Sequence, residues 1–149
     1  MAVLTYPNMS PANKSTIKSR LALLERNIKL LSGYAKAPKA AFTEDYTISG
    51  AALHYLVESI EIITDIATHI LAEDFTLEVG SYSDAIEALG THKIVAKKFA
   101  NDNANMVRFR NRIIHMYSDV NLAKVHAFLK EAPPIFKRFG VYFSKYMRT

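Results

Sequence analysis

The sequence contains no cysteine among its 149 residues. This absence excludes a disulfide framework, a zinc site built on thiolates and a cysteine nucleophile. Any chemistry is therefore left to histidines, carboxylates and hydroxyls. A chain without disulfides suits a reducing compartment, so we expect a cytoplasmic protein.

Glycine and proline are also scarce, with five of each. No run of them forms a flexible linker, and the length is typical of one domain, so we expect a single domain over residues 1–149. Long apolar runs are absent too, because Glu61 and Asp65 interrupt the richest one, residues 60–71. We therefore expect neither a membrane span nor a signal peptide.

Helical periodicity is the main feature that the sequence does contain. Half of the residues are hydrophobic. They recur at steps of three and four along most of the chain, and no segment alternates with a period of two. This spacing predicts an all-α fold, an antiparallel bundle of four to five helices joined by short loops. Residues that start or end helices stand at Ser10–Pro11, Gly33, Thr43 or Ser49–Gly50, the Ser81–Asp84 capping box, Gly90 and Thr91. Ser118, Asp119 or Asn121 caps the last helix, and we expect a kink or break at Pro133–Pro134.

Charge is unevenly distributed along the chain. Residues 1–92 hold seven basic and eleven acidic side chains, a balance of −4, whereas residues 93–149 hold twelve basic and three acidic ones, a balance of +9. Clustered cations of this kind favour a nucleic-acid partner or an acidic protein partner. The alternative is that acidic and basic helices neutralise each other within one bundle or across a dimer.

One segment concentrates the residue types that acid–base chemistry needs. Residues 106–117 hold three arginines, an asparagine, a histidine and a tyrosine. His115 can take up or release a proton near neutral pH, and a neighbouring guanidinium can grip a phosphate and stabilise developing charge. Together these groups suffice for metal-free RNA cleavage. In that reaction a base removes the 2′-hydroxyl proton, the oxygen attacks the neighbouring phosphorus, and the 5′-oxygen leaves.

The spacing of Arg110 and His115 limits how a single helix can use them. At about 100° per residue, the two side chains point about 140° apart around a helix axis. Arg108, Arg112 and His115 follow one stripe instead. Either the helix ends before His115 and the chain turns the imidazole, or a second subunit completes the site across a two-fold axis.

The same segment resembles a known motif. Arg110, Asn111, His115 and Tyr117 stand at the positions of the R-x4-H-x-Y signature of HepT-type HEPN toxins, including the polar residue directly after the arginine. The similarity continues in the helices that precede the motif and covers nearly the whole chain after about Lys14. These features make the longer match more specific than the arginine-to-histidine spacing alone.

The resemblance implies a HEPN-type helical homodimer with metal-independent ribonuclease activity on RNA. It also implies a partner, an MNT-type nucleotidyltransferase antitoxin of a type VII toxin–antitoxin system. Arg110 and His115 would be the catalytic pair, and Asn111 would orient a group or contact the substrate. Tyr117 would be the hydroxyl that the antitoxin modifies with AMP, an anion that repels and blocks RNA. We expect neither a metal nor a cofactor.

Charged residues outside the catalytic pair have simpler interpretations as well. Four cations are most simply a solvated face, with RNA binding as the second interpretation: Lys97, Lys98, Arg108 and Arg112. An acidic stripe invites a metal ion, but the di-metal bundle pattern needs a Glu-x-x-His pair and the sequence has none. We expect this stripe to be solvated or paired with the basic helix; it consists of Glu58, Glu61 and Asp65.

Two other functions are compatible with the same residues. The bundle can be a catalytically inactive nucleotide-binding or docking partner of a nucleotidyltransferase, or a helical dimer adaptor. In either case His115 would be a helix-terminal histidine that favours the helix dipole, and Tyr117 a packed tyrosine. Incubation of the purified protein with RNA separates these functions from a ribonuclease.

Overall fold

The structure, a computed structural model, describes residues 11–115 and 120–148 and, within them, the side chains of residues 14–111 and 120–148. This part of the chain contains helices and no strand, which confirms the predicted all-α fold. Five of its helices have ten residues or more and two are shorter. In chain order they are α1 (Pro11–Tyr34), α2 (Lys39–Glu44), α3 (Tyr46–Phe75), α4 (Tyr82–Thr91), α5 (Lys97–Asn103), α6 (Met106–His115) and α7 (Leu122–Met147).

Side-chain caps fix where several helices begin. Ser81 caps α4 as predicted, because its Oγ accepts from the Asp84 N–H at 3.1 Å. The start of α3 differs from the prediction: its cap is Asp45, whose Oδ1 accepts from the Thr47 N–H at 2.9 Å. Thr43 lies inside α2 instead and donates its hydroxyl to helix carbonyls. Asp45 takes the capping position because its backbone is extended between the two helices.

The last helix, α7, continues through Pro133 and Pro134, so of the predicted kink or break the break is wrong. Each proline removes a backbone donor and costs about 3 kcal/mol inside a helix. Packing on both sides of the pair offsets this cost, since each fully buried large apolar side chain contributes about 1.5–3 kcal/mol. The buried side chains of α7 before and after the prolines include Val125, Leu129, Phe136, Phe139 and Phe143.

The long helix α3 lies at the centre of the bundle. It packs against α1, α2, α4, α6 and α7, and its wide apolar face supplies much of the core. Its polar face carries the acidic stripe, and α6 packs against α3 and α4. The arginine-rich helix is therefore brought onto the acidic one. Within the described ranges, no helix combines the length and apolar character that crossing a bilayer requires.

Candidate active site

Arg110 lies where α6 meets α3 and α4. Its Nη2 donates to Glu61 Oε1 at 2.7 Å, and its Nη1 donates to Asn111 Oδ1 at 2.9 Å. The guanidinium carbon lies 5.6 Å from the centroid of the Tyr82 ring, a cation–π contact. Only 18% of the Arg110 side chain is exposed. The guanidinium is thus held by a carboxylate, an amide and an aromatic face.

The sequence of α6 explains why Arg110 faces inward. Met106 and Val107 are buried, and the Phe109 ring lies 4.8 Å from that of Phe128 in α7, centroid to centroid. These contacts fix the rotation of the helix. Arg110 follows Met106 by one turn and therefore lies on the same buried side.

A guanidinium so little exposed needs a counter-ion, and α6 itself contains no acidic residue. Asp102 in α5 is the nearest acidic residue in sequence, but it already pairs with Lys98 at 2.8 Å. Glu61 in α3 fills this need from 49 positions away in the chain. The pairing joins the acidic half of the sequence to its basic half.

The rest of the acidic stripe is paired as well. Glu58 Oε1 lies 2.8 Å from Arg26 Nη2 and also accepts from the buried Asn27 amide at 2.9 Å. Asp65 Oδ2 lies 3.5 Å from Arg20 Nη1. All three carboxylates therefore face arginines. Glu61 pairs with the basic helix α6, as predicted, whereas Glu58 and Asp65 pair with α1 instead. A metal ion is not required to explain these carboxylates.

The pKa of the Asp65 carboxyl in the stripe is raised. Burial is the largest cause and raises the pKa above the usual value. The positive charge of Arg20 lowers the pKa, the negative charge of Glu61 raises it further, and the positive charge of Arg110 lowers it. The net direction is upward. Asp65 therefore bears its negative charge at an energetic cost at neutral pH.

The two predicted catalytic residues belong to the same helix. Because α6 runs from Met106 to His115, the alternative in which the helix ends before His115 is wrong. Regular helical geometry separates Arg110 and His115 by about 140°. The side chains of Arg112 and His115, and all of Tyr117, lie outside what the structure describes.

The predicted RNA-contacting residues lie in different surroundings. Asn111 is exposed and accepts from Arg110, whereas Arg108 is exposed and faces solvent from the same helix. Lys98 is neutralised by Asp102. Lys97 is exposed at the first turn of α5. Their contacts with RNA stay a prediction.

Two residues of the site were not predicted from the sequence. Tyr82 was part of a capping segment and Glu61 part of the acidic stripe, but neither was assigned to Arg110. The sequence did contain a signal for Glu61. Residues 93–112 hold six basic residues and a single acidic one, so an arginine of this segment needs a counter-ion from elsewhere in the chain. Tyr82 carries no such signal, because its place beside Arg110 depends on how α4 packs against α6.

Comparison with known proteins matches most of the chain to a family. Residues 24–141 match the HepT-like family, described as ribonuclease HepT-like. The fold is similar to that of a tri-AMPylated Shewanella oneidensis HEPN toxin in complex with an MNT antitoxin, with a TM-score of 0.78 and 22% identity over 87% of this chain and 96% of that one. The chain has no significant match among curated proteins.

Two other solved structures share the fold. One is a toxin–antitoxin complex with AMP-PNP, with a TM-score of 0.76 and 22% identity over 85% of this chain and 96% of that one. The other is YutE from Bacillus subtilis, a cytosolic protein of unknown function, with a TM-score of 0.77 and 18% identity over 90% of each chain. At such identities the likeness establishes the fold alone.

Proposed function

The chain belongs to the HepT-like ribonuclease family, and from this membership we propose that it is a metal-independent RNA endonuclease, the toxin of a type VII HEPN/MNT toxin–antitoxin system. One observation carries the proposal. Arg110 is held by Glu61, Asn111 and Tyr82 at the head of the motif, in the same helix as His115. Because this guanidinium is already held in place, it can stabilise negative charge on a reacting phosphate without first being ordered.

In the proposed reaction, His115 acts as base or acid and Arg110 as the clamp on the phosphate. The base takes the proton of the ribose 2′-hydroxyl while O2′ forms a bond to the adjacent phosphorus. The bond from phosphorus to the 5′-oxygen breaks, and that oxygen takes up a proton as it leaves. The products are a 2′,3′-cyclic phosphate and a 5′-hydroxyl, and Arg110 offsets the negative charge in between.

A homodimer would bring Arg110 and His115 to the same phosphate, which a single copy of α6 does not. Regular helix geometry places positions 110 and 115 about 140° apart around the helix axis. Two copies of α6 related by a two-fold axis would let Arg110 and His115 face one phosphate from opposite sides. We therefore include the homodimer in the proposal. Mixing Arg110→Ala with His115→Ala protein should restore part of the cleavage if the site combines residues of both subunits.

RNA cleavage by the purified protein tests the proposal. Wild-type protein should cut RNA in EDTA and leave cyclic phosphate ends, whereas Arg110→Ala and His115→Ala should lose the activity and keep their helicity by circular dichroism. Lys130→Ala, which removes an exposed cation of α7, is the control and should cleave normally. A strict requirement for magnesium, or full activity of His115→Ala, would overturn the mechanism.

One observation favours a second candidate function. Both η-nitrogens of Arg110 already donate to protein acceptors, so a phosphate must displace one of these or use the other N–H groups. Donors that are already occupied within the protein suit a docking partner of a nucleotidyltransferase that does not cleave RNA. Binding of the nucleotidyltransferase by a protein that leaves RNA intact would support this candidate over the ribonuclease.

Neutralisation by an MNT-type antitoxin is the remaining part of the proposal. The Tyr117 hydroxyl would attack the α-phosphorus of ATP, the bond to the β-phosphate oxygen would break, and pyrophosphate would leave as the phenol loses its proton. The added phosphate would stand two residues from His115 and repel RNA. A nucleotidyltransferase antitoxin is therefore the expected protein partner.

Mass spectrometry of the toxin co-expressed with such an antitoxin tests this step. One or more AMP units should be found on Tyr117, and Tyr117→Phe should carry none. Tyr46→Phe is a matched control, because Tyr46 is a tyrosine with 77% of its surface exposed. Loss of AMP in Tyr46→Phe, or its persistence in Tyr117→Phe, would contradict the assignment.

A further inference from the structure

A basic groove lies at the end of α4 opposite to Tyr82, between the α4–α5 connection and the last turns of α7. Its volume is about 640 Å³, and three lysines line it: Lys93, Lys97 and Lys145. None of the lining residues is acidic. The three lysines are exposed, and none of them forms an ion pair within the described part of the chain. No acidic side chain of the lining therefore pairs with these cations.

The backbone at Lys93 is unusual. Its φ is +60°, in the left-handed region that favours glycine. The Lys93 N–H donates to the Gly90 carbonyl at 3.1 Å and the Ile94 N–H donates to the Leu89 carbonyl at 2.9 Å. These two bonds form a Schellman motif, in which this position is usually glycine. Here a lysine occupies it at an energetic cost, and such strain is concentrated at functional sites.

A glycine brings the second lysine to the same groove. Gly90 is buried near the end of α4, and a Cβ on it would lie 2.8 Å from the Ala100 Cβ and 3.1 Å from the Lys97 Cα. Only a residue without a side chain permits this approach of α5. The first turn of α5 is thereby fixed against α4, and Lys97 stands beside Lys93 at the groove.

We propose that this groove binds backbone phosphates of the RNA, outside the site of cleavage. The inference rests on the proposed ribonuclease function, because it assigns a second contact to the same substrate. Three cations without counter-ions repel one another, and phosphates relieve that repulsion. The half-buried ring of Tyr142 also lines the groove and gives a base a surface on which to stack.

The distance between the groove and Arg110 suits an extended RNA strand. Arg110 contacts Tyr82 at the first residue of α4, whereas Gly90 at the groove lies eight residues on, about 12 Å along the helix axis. A strand of several nucleotides can reach both places, and a very short one cannot. The groove therefore contributes to the binding of long RNA rather than to the chemical step.

Binding measurements on RNA that cannot be cut test the inference. RNA with 2′-O-methyl groups lacks the attacking hydroxyl, so wild-type protein can be titrated with it at several salt concentrations. Replacement of all three groove lysines by glutamine should weaken binding about tenfold or more, and should lower the slope of log K against log salt by about 2, since each phosphate contact on a single strand contributes about 0.7. The control is a triple variant with the same change of charge on α1 and α7: Lys18→Gln, Lys29→Gln and Lys137→Gln.

The outcomes separate the groove from the catalytic proposal. Equal losses in the two triple variants, or unchanged binding in the groove variant, would overturn the inference. Loss of antitoxin binding with RNA binding intact would overturn it too, in favour of an acidic protein partner. Cleavage of unmodified RNA is scored separately. If wild-type protein binds RNA through the groove without cutting it, the ribonuclease proposal is refuted and the groove proposal stands.

A pair of glycine substitutions distinguishes function from structure at Lys93. Thr76 is the other non-glycine residue with positive φ in the described ranges, at φ 50°. Lys93→Gly and Thr76→Gly should each relieve backbone strain and raise the melting temperature by about 1–3 °C. Only Lys93→Gly should weaken RNA binding. Equal RNA affinity in both variants would contradict a role for Lys93.

Discussion

Glu61 Oε1 and Arg110 Nη2 lie 2.7 Å apart across the interface between α3 and α6. The two residues come from opposite halves of a chain whose first 92 residues carry a balance of −4 and whose remainder carries +9. Because α3 is the central helix of the bundle, it fixes the direction of the guanidinium from outside the motif. We infer that Glu61 is a positioning residue for Arg110.

Glu61→Gln should lower kcat for RNA cleavage about tenfold or more and leave KM unchanged or lower. The amide keeps the size of the side chain but removes the charge that orients Arg110, and small displacements of a catalytic group cost large factors in rate. A guanidinium freed from its counter-ion still attracts phosphate, so binding should not weaken. Steady-state kinetics with a short RNA substrate measures the two parameters.

Asp65→Asn is the matched control for Glu61→Gln. It removes the same charge from the same face of α3, one turn further along, without a hydrogen bond to Arg110. Its kcat should stay within about twofold of wild type, because the lost carboxylate does not hold the Arg110 guanidinium by a hydrogen bond. Equal losses of kcat in the two variants would mean that Glu61 acts through general electrostatics and not through position.

Arg110→Lys should lose cleavage about a hundredfold although the charge is kept. An ammonium group cannot donate in a fixed fork to Glu61, Asn111 and a phosphate, whereas a planar guanidinium can. Arg20→Lys on α1 is the control, since Arg20 pairs with Asp65 at 3.5 Å in an exposed position. Cleavage by Arg110→Lys at the wild-type rate would show that charge alone suffices there.

The fold could be predicted because its signals are local. Apolar spacing defined the helical segments, and the Ser81 cap of α4 was correctly placed. The start of α3 was missed because Thr43 and Asp45 are both capping residue types. Tertiary packing decides between them, since Phe42 is fully buried and keeps α2 helical up to Glu44.

The site could be predicted only in part. The spacing of Arg110 and His115 within one segment is visible in the sequence, and the helix that contains both is confirmed. The partner of Arg110 was not predicted, because Glu61 lies 49 positions away and its stripe could equally have been solvated. That choice depends on the packing of α6 against α3, which no local pattern specifies.

Asp65→Asn should stabilise the protein more at pH 7 than at pH 3. Burial raises the pKa of Asp65 in the folded state. A raised pKa favours the protonated form, so the stabilising contribution is present at low pH and is lost as the pH rises through the folded pKa. Asparagine removes the cost of the buried charge above that pKa. Thermal unfolding of both proteins between pH 3 and 7 measures the difference, and a difference that is constant or larger at pH 3 would contradict this account.

Gly90→Ala should destabilise the protein by about 1–3 kcal/mol, because a Cβ there would lie 2.8 Å from the Ala100 Cβ and 3.1 Å from the Lys97 Cα. Part of that contact is backbone, so α5 must move away from α4 and carry Lys97 with it. Gly50→Ala is the control: nothing lies within 4 Å of its Cβ, and alanine inside α3 should stabilise by up to about 1 kcal/mol. Urea denaturation should give opposite signs for the two variants. Equal stability of Gly90→Ala and wild type would show that α5 yields without cost, and the position of Lys97 would then not depend on Gly90.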